Sequence, residues 1–211
     1  MAGNSTMPIS HLWFRLRRSA AELSKDCRAV AATEFVMIVP LMLVMFFGVV
    51  EFSSGVAVDR KVTLVARTLS DLTSQSPTTG VTDADLSNFF AASIGILTPY
   101  SASPTKSTIT ELYVDPATHK ARVQWSKAST FNASGNVVLG TSTHSPGDIV
   151  TIPSALAVDD TYLIWSEVSY TYVPAVGYLM AKTGVALSDQ TYTRPRQSSC
   201  VMYKTTVCTT L

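Results

Sequence analysis

The sequence predicts an α+β fold: a long N-terminal transmembrane helix that runs on into a domain with a second helix and a small antiparallel β-sheet. Three observations predict it. Residues 29–50 form an apolar run with a single charge. Beyond it, apolar residues recur at helical spacing as far as Leu72. From about residue 108 the spacing changes to the two-residue alternation of strands. Composition agrees. The 211 residues are 46% hydrophobic and 15% charged, against about 25% charged in an average soluble domain. That balance argues against disorder. A net charge of +1 gives no basic face for nucleic acid.

The run Ala29 to Val50 reads AVAATEFVMIVPLMLVMFFGVV, and Glu34 is its only charged residue. About 20 apolar residues cross the ~30 Å hydrocarbon layer as a helix. From Phe35 to Val50 no side chain is polar, whereas a soluble helix keeps a wet stripe. Before the run stand Arg15, Arg17, Arg18, Lys25 and Arg28 against Glu22 and Asp26. After it come Glu51 and then Arg60 and Lys61. The positive side stays in the cytoplasm, so the remaining residues lie on the far side. The expected divisions are a basic cytoplasmic leader (1–28), a transmembrane helix (29–50), a helical continuation or stalk (51–76) and an exported α+β domain (77–211). Within the leader, Leu12, Leu16, Ala20 and Leu23 fall at helical spacing, which fits a basic helix on the inner leaflet as well as a disordered leader.

Glu34 is costly at membrane depth unless it is neutral, paired or at the interface. Pro40 removes one helical hydrogen bond and is the expected kink.

Residues Arg28-Ala29-Val30-Ala31-Ala32-Thr33-Glu34-Phe35, then Ile38-Val39-Pro40-Leu41, then Phe47-Gly48-Val49-Val50-Glu51-Phe52 resemble the N-terminal signature of TadE/TadG-like proteins. These are minor pilin-like components of the bacterial Tad (Flp) type IV pilus assembly machinery. The resemblance covers about residues 26–75, including Arg60-Lys61-Val62 and Ala66-Arg67-Thr68-Leu69-Ser70-Asp71-Leu72. It implies a pilin-like exported domain and a single-pass protein of the bacterial inner membrane with a periplasmic C-terminal domain. The implied partners are the lipid bilayer, other pilin-like subunits, the pilus assembly machinery and a prepilin peptidase. It also implies a cut between Ala29 and Val30, which would make Glu34 the fifth mature residue and pair it with a free terminal amine. Ala29 stands where such cuts usually follow glycine, the residue that passes a protease cleft without a side chain.

Past the span, Val58, Val62, Val65, Leu69 and Leu72 form a heptad-like stripe. Two uses are open for it: packing on the protein's own domain, or a seam against sister helices. Ser74 to Gly80 ends the helix. Thr82 with Asp85 makes a capping-box start for a second helix, whose apolar face is Leu86, Phe89, Phe90 and Leu97. Thr108 to Val114 and Ala121 to Ser126 flank a turn and predict a hairpin. Ala121, Val123 and Trp125 alternate with Arg122, Gln124 and Ser126, which places the first three on one buried face. Tyr162 to Val173 is the strongest strand and Val185 to Thr193 a fourth. The polar stretch Asn132 to Thr151 is expected to be a long connecting loop, and Pro174–Ala181 a short helix. The exit helix from residue 55 onward is the natural cover for the sheet's apolar face.

Cys27 lies on the reducing side of the membrane and reads as a free thiol. Cys200 and Cys208 lie on the exported side, where a disulfide is favoured over two free thiols. Such a short loop is worth ~2–3 kcal/mol on the chain-entropy estimate.

No catalytic constellation is present. His11, His119 and His144 are scattered, and no zinc-protease, nucleophile-elbow, Walker or dinucleotide motif occurs. His119 and Asp159-Asp160 read as solvated turn residues, the acids lacking a spaced calcium ligand set. Tyr162, Tyr170 and Tyr172 share one strand face as core or subunit contact. From residue 77 onward eight Lys/Arg meet nine Asp/Glu, so no nucleic acid is expected; lacking any catalytic or ligand motif, the chain is expected to carry no metal or cofactor and no enzymatic activity. Two other functional readings stay open. In one, residues 1–57 are an export signal cut after Gly55-Val56-Ala57, releasing a periplasmic or secreted binding protein. In the other, a membrane-anchored adhesin or ligand-binding domain uses the tyrosine-rich face for cell adhesion.

Overall fold

The computed structural model describes residues 28–174, 184–204 and 208. The chain forms two compact units, residues 1–50 and 51–211. Helix α1 spans Arg28–Ser74, with Pro40 inside it. In the first unit its side chains from residue 30 onward are almost all exposed.

The second unit holds the rest of α1, helix α2 (Asp83–Ile94), and strands β1 (Thr105–Asp115), β2 (Lys120–Phe131), β3 (Val137–Thr141), β4 (Ile149–Val150), β5 (Thr161–Tyr172) and β6 (Val185–Thr193). Helix α2 starts where its sequence says it should. Thr82 accepts from the Asp85 amide, and the Asp85 carboxylate accepts from the Thr82 amide. The strands form one antiparallel sheet in the order β3-β2-β1-β5-β6, with β4 also on β2.

One face of the sheet carries Ile109, Trp125, Ile164, Val168, Tyr170 and Tyr172. It packs with Val58, Val62, Val65, Ala66 and Leu69 of α1 and with Leu86 and Phe90 of α2. The stripe beyond the span, up to Leu69, is therefore core of its own domain. Small residues let the helix lie close to the strand. The Ser166 hydroxyl donates to the Ala66 carbonyl at 2.6 Å, and the hydroxyls of Ser70 and Thr193 are 2.5 Å apart. At the helix end, the Arg196 amide donates to the Ser74 carbonyl at 2.9 Å, and its guanidinium meets Asp71. The opposite face buries Leu112, Val114, Ala121, Val123, Leu163 and Trp165 under Val150, Ile152, Leu156 and Tyr192.

Two expectations need correction. Asn132 to Thr151 is not one loop, because it contains β3 and β4. The polar residues on either side of β3 hid an edge strand that is held by its ladder to Lys127–Phe131. Nor do Ala121, Val123 and Trp125 share a face. Glu111 pairs with Trp125 but Leu112 pairs with Val123, so Gln124 is an extra residue in β2. A bulge of this kind reverses the alternation. It sends Trp125 into the helix-facing core and leaves Ala121 and Val123 on the other side. The short helix expected at Pro174–Ala181 lies, after Pro174, outside the described residues, as do Cys27 and the amphipathic stretch of the leader.

Candidate functional site

Ala29 and Val30 lie in the first turn of α1, and Glu34 follows Val30 by four residues, one turn on. The Thr33 hydroxyl donates to the Val30 carbonyl at 2.8 Å. That local bond satisfies the one hydroxyl beside Glu34. Glu34 itself is exposed among exposed Val30, Phe35, Met37 and Ile38. Length and composition qualify this helix to cross a membrane. An apolar surface of that extent on a single helix marks a lipid or protein contact. Together these features suggest membrane anchoring.

In the second unit, Glu51 opens the domain. Its side chain is buried and accepts a hydrogen bond from the Tyr172 hydroxyl at 2.9 Å. The Tyr172 ring lies over Gly55, where an added Cβ would sit 3.8 Å from Cε1, and meets Tyr100 edge-on at 6.3 Å. Burial, and next the Glu51 hydrogen bond, push the Tyr172 phenol up to about 12. A buried acid needs such a donor to offset its lost hydration.

A second buried acid, Glu111, fixes the C-terminal segment. It accepts from the Val201 amide at 2.5 Å and from the Trp125 indole at 2.9 Å, while the same indole N–H also lies 2.7 Å from the Val201 carbonyl. Burial raises the Glu111 carboxyl to about 8, and these two donors act against that rise. Nearby, Val81 pairs with Tyr203 in a parallel bridge, and the Tyr203 hydroxyl reaches Asp83 at 2.5 Å. Cys200 and Cys208 stand at disulfide distance, with Cα atoms 6.1 Å apart.

The remaining sequence candidates are dispersed. His119 sits in the β1–β2 turn, 2.7 Å from Asp159. Asp160 accepts from Tyr113 at 3.0 Å. His144 meets Glu167 at 2.8 Å on the opposite face of the sheet. Tyr170 and Tyr172 are core residues, while Tyr162 packs its ring on Tyr113 at 4.9 Å. Among the described residues no group of three or more His, Cys, Asp or Glu is placed to hold a metal ion. The buried roles of Glu51 and Glu111 were missed from sequence. The available signal for Glu111 was its parity, which it shares with inward-facing Ile109.

A long apolar helix fit by length and composition to cross a membrane, its sheet-packed continuation and a small antiparallel sheet together define an α+β protein. Residues 29–69 match the family model described as TadE-like protein, which points to a component associated with the Tad pilus. The match covers the apolar run and ends at Leu69, the last fully buried apolar residue of α1 against the sheet. No curated protein matches the chain, and no solved structure does.

Proposed function

We propose that the protein is a structural, non-enzymatic component of Tad/Flp pilus biogenesis, acting as a minor pilin-like subunit or an assembly factor. It is held in the bacterial inner membrane by residues 29–50, with its N-terminus in the cytoplasm and its globular domain in the periplasm. The observation that carries this reading is α1. One helix of 47 residues is apolar and exposed through its first half, then packs a single stripe into a folded domain in its second. The TadE-like match over that same helix supports it. In this reading Glu34 demands a charged partner within the bilayer and so sets the register of assembly.

The test is genetic and biochemical. A strain lacking the protein should make few or no pili, and wild-type protein should restore them. Glu34→Ala should insert into the membrane normally, resist alkaline extraction, and restore several-fold fewer pili. Normal piliation in the deletion strain would overturn the function. Normal piliation with Glu34→Ala would remove the role of that residue. N-terminal sequencing of the mature protein separates the modes of anchoring: Val30 first means pilin-type processing, an uncut N-terminus a static anchor, and Val58 first a released protein.

A further inference from the structure

At the end of the second unit nearest in sequence to the apolar run, the surface is apolar where a soluble domain would be charged. Phe52 is 70% exposed, Val56 38%, Val173 60% and Val185 46%. Phe52 and Val56 come from α1, Val173 from the end of β5 and Val185 from the start of β6. Phe52, Val56 and Val185, with Gly55, Tyr172 and Leu187, line a groove of about 290 Å³ whose walls are almost wholly apolar. Two acids also line it: Glu51, turned inward to Tyr172, and Asp59, which is exposed at the end of the groove farther along the helix.

Position along the helix identifies what covers this face. The apolar run ends at Val50. At about 1.5 Å per residue, Phe52 stands ~3 Å and Val56 ~9 Å beyond it. The headgroup layer adds about 5–7 Å on each side of the hydrocarbon core. Past the run, the first exposed charges of the helix are Asp59 and Arg60, ~14–15 Å beyond Val50 and above the headgroup layer. Lys61 is turned onto the carbonyls of Ile96 and Thr98, 2.7 Å from each. Between Val50 and Asp59 no exposed side chain of the helix is charged; Phe52 falls within the headgroup depth and Val56 just past its outer edge, the pattern of an interfacial segment.

We propose that this face, Phe52 and Val56 together with the β5 and β6 ends at Val173 and Val185, is a second membrane contact. It seats the globular domain in the interfacial layer of the phospholipid leaflet. The inference rests on the membrane-anchoring reading above. The contact restrains the domain against the bilayer in addition to the single helix. It must also be given up if the subunit leaves the membrane.

The test uses full-length protein carrying Cys27→Ser in nanodiscs of phosphatidylethanolamine and phosphatidylglycerol. Nitroxide labels are placed one at a time at Val173→Cys, Val185→Cys, Val44→Cys and Val138→Cys, and the parent without an added cysteine gives the background. Collision with oxygen against a water-soluble nickel chelate reads depth. The expected result is an oxygen-to-nickel ratio at 173 and 185 several-fold above that at 138, and below that at 44. Water-like ratios at 173 and 185 with a bilayer ratio at 44 overturn the contact and leave the anchor standing. A water-like ratio at 44 overturns the anchor itself, and the contact with it. Protection at 173 and 185 that disappears at one copy per disc assigns the face to a second copy and overturns the lipid assignment.

Discussion

Tyr172 donates its hydroxyl to Glu51 across 2.9 Å of space and 121 residues of chain. The bond joins the last residue of β5 to the first residue of the compact domain. It explains how an acid directly after an apolar run is buried rather than solvated. Removing the donor leaves a buried acid less well satisfied, at a cost of about 1–3 kcal/mol. Tyr172→Phe is therefore expected to lower the unfolding midpoint of the detergent-solubilised protein in urea. Unfolding at the wild-type midpoint would show that the bond contributes nothing.

The two sides of α1 beyond residue 55 should respond differently to truncation. Leu69 is fully buried against the sheet, and Leu64 is 49% exposed. Leu69→Ala removes buried methyl groups from a packed site and is expected to cost about 2–5 kcal/mol. Leu64→Ala should stay within about 0.5 kcal/mol. Equal losses in chemical denaturation would mean that the stripe is not what holds the helix to the sheet.

Much of this was legible from residues alone. The long apolar helix follows from its unbroken run, helix α2 from the polar capping pair Thr82 and Asp85, and strands β1, β2, β5 and β6 from apolar spacing, because each strand turns a face inward that composition reveals. Two kinds of feature did not show. Edge strand β3 is held by backbone bonds with β2, and its inward pair, Val137 and Leu139, is only partly buried and too short a stripe to stand out from the polar residues around it. The faces of β2 were misjudged because a bulge at Gln124 is a backbone event that leaves the alternating letters unchanged. Glu51 and Glu111 were illegible for a related reason. An acid in a sequence reads as solvated until its partners are known, and those partners lie 121 and 90 residues away. At the candidate site, the sequence marks the apolar run and Glu34, but the apolar ends of β5 and β6 join Phe52 only through the fold.

Glu111 gives the domain a pH dependence of definite sign. Its carboxyl, ordinarily near 4.5, is pushed up to about 8, chiefly by burial. The folded state therefore binds the proton more tightly than the unfolded state. The stability this contributes is full below about pH 4.5 and is lost as pH rises through about 8. Wild-type protein should lose stability across that window relative to Glu111→Gln, which cannot ionise. Comparing the two cancels the other acids, Asp83, Asp85 and Asp115, whose hydrogen bonds shift them in the opposite direction. Wild-type and variant curves that run parallel from pH 5 to pH 8 would contradict this assignment.

The C-terminal strap places a demand on one glycine. Gly80 has φ +88°, and a Cβ there would sit 2.7 Å from the Met202 carbonyl oxygen. That carbonyl is not free to move away, because it accepts the Val81 amide at 2.8 Å, and the Lys204 amide returns a bond to Val81 at 3.0 Å. A side chain at position 80 therefore meets two penalties. The left-handed backbone costs about 1–2 kcal/mol for an L-residue, and relieving the clash breaks the bridge. Gly80→Ala is expected to destabilise the domain by at least that backbone cost. It should also speed hydrogen exchange at the Val81 and Lys204 amides more than at strand amides of β1. Exchange at those two amides unchanged from wild type would show that the strap is held by Glu111 alone.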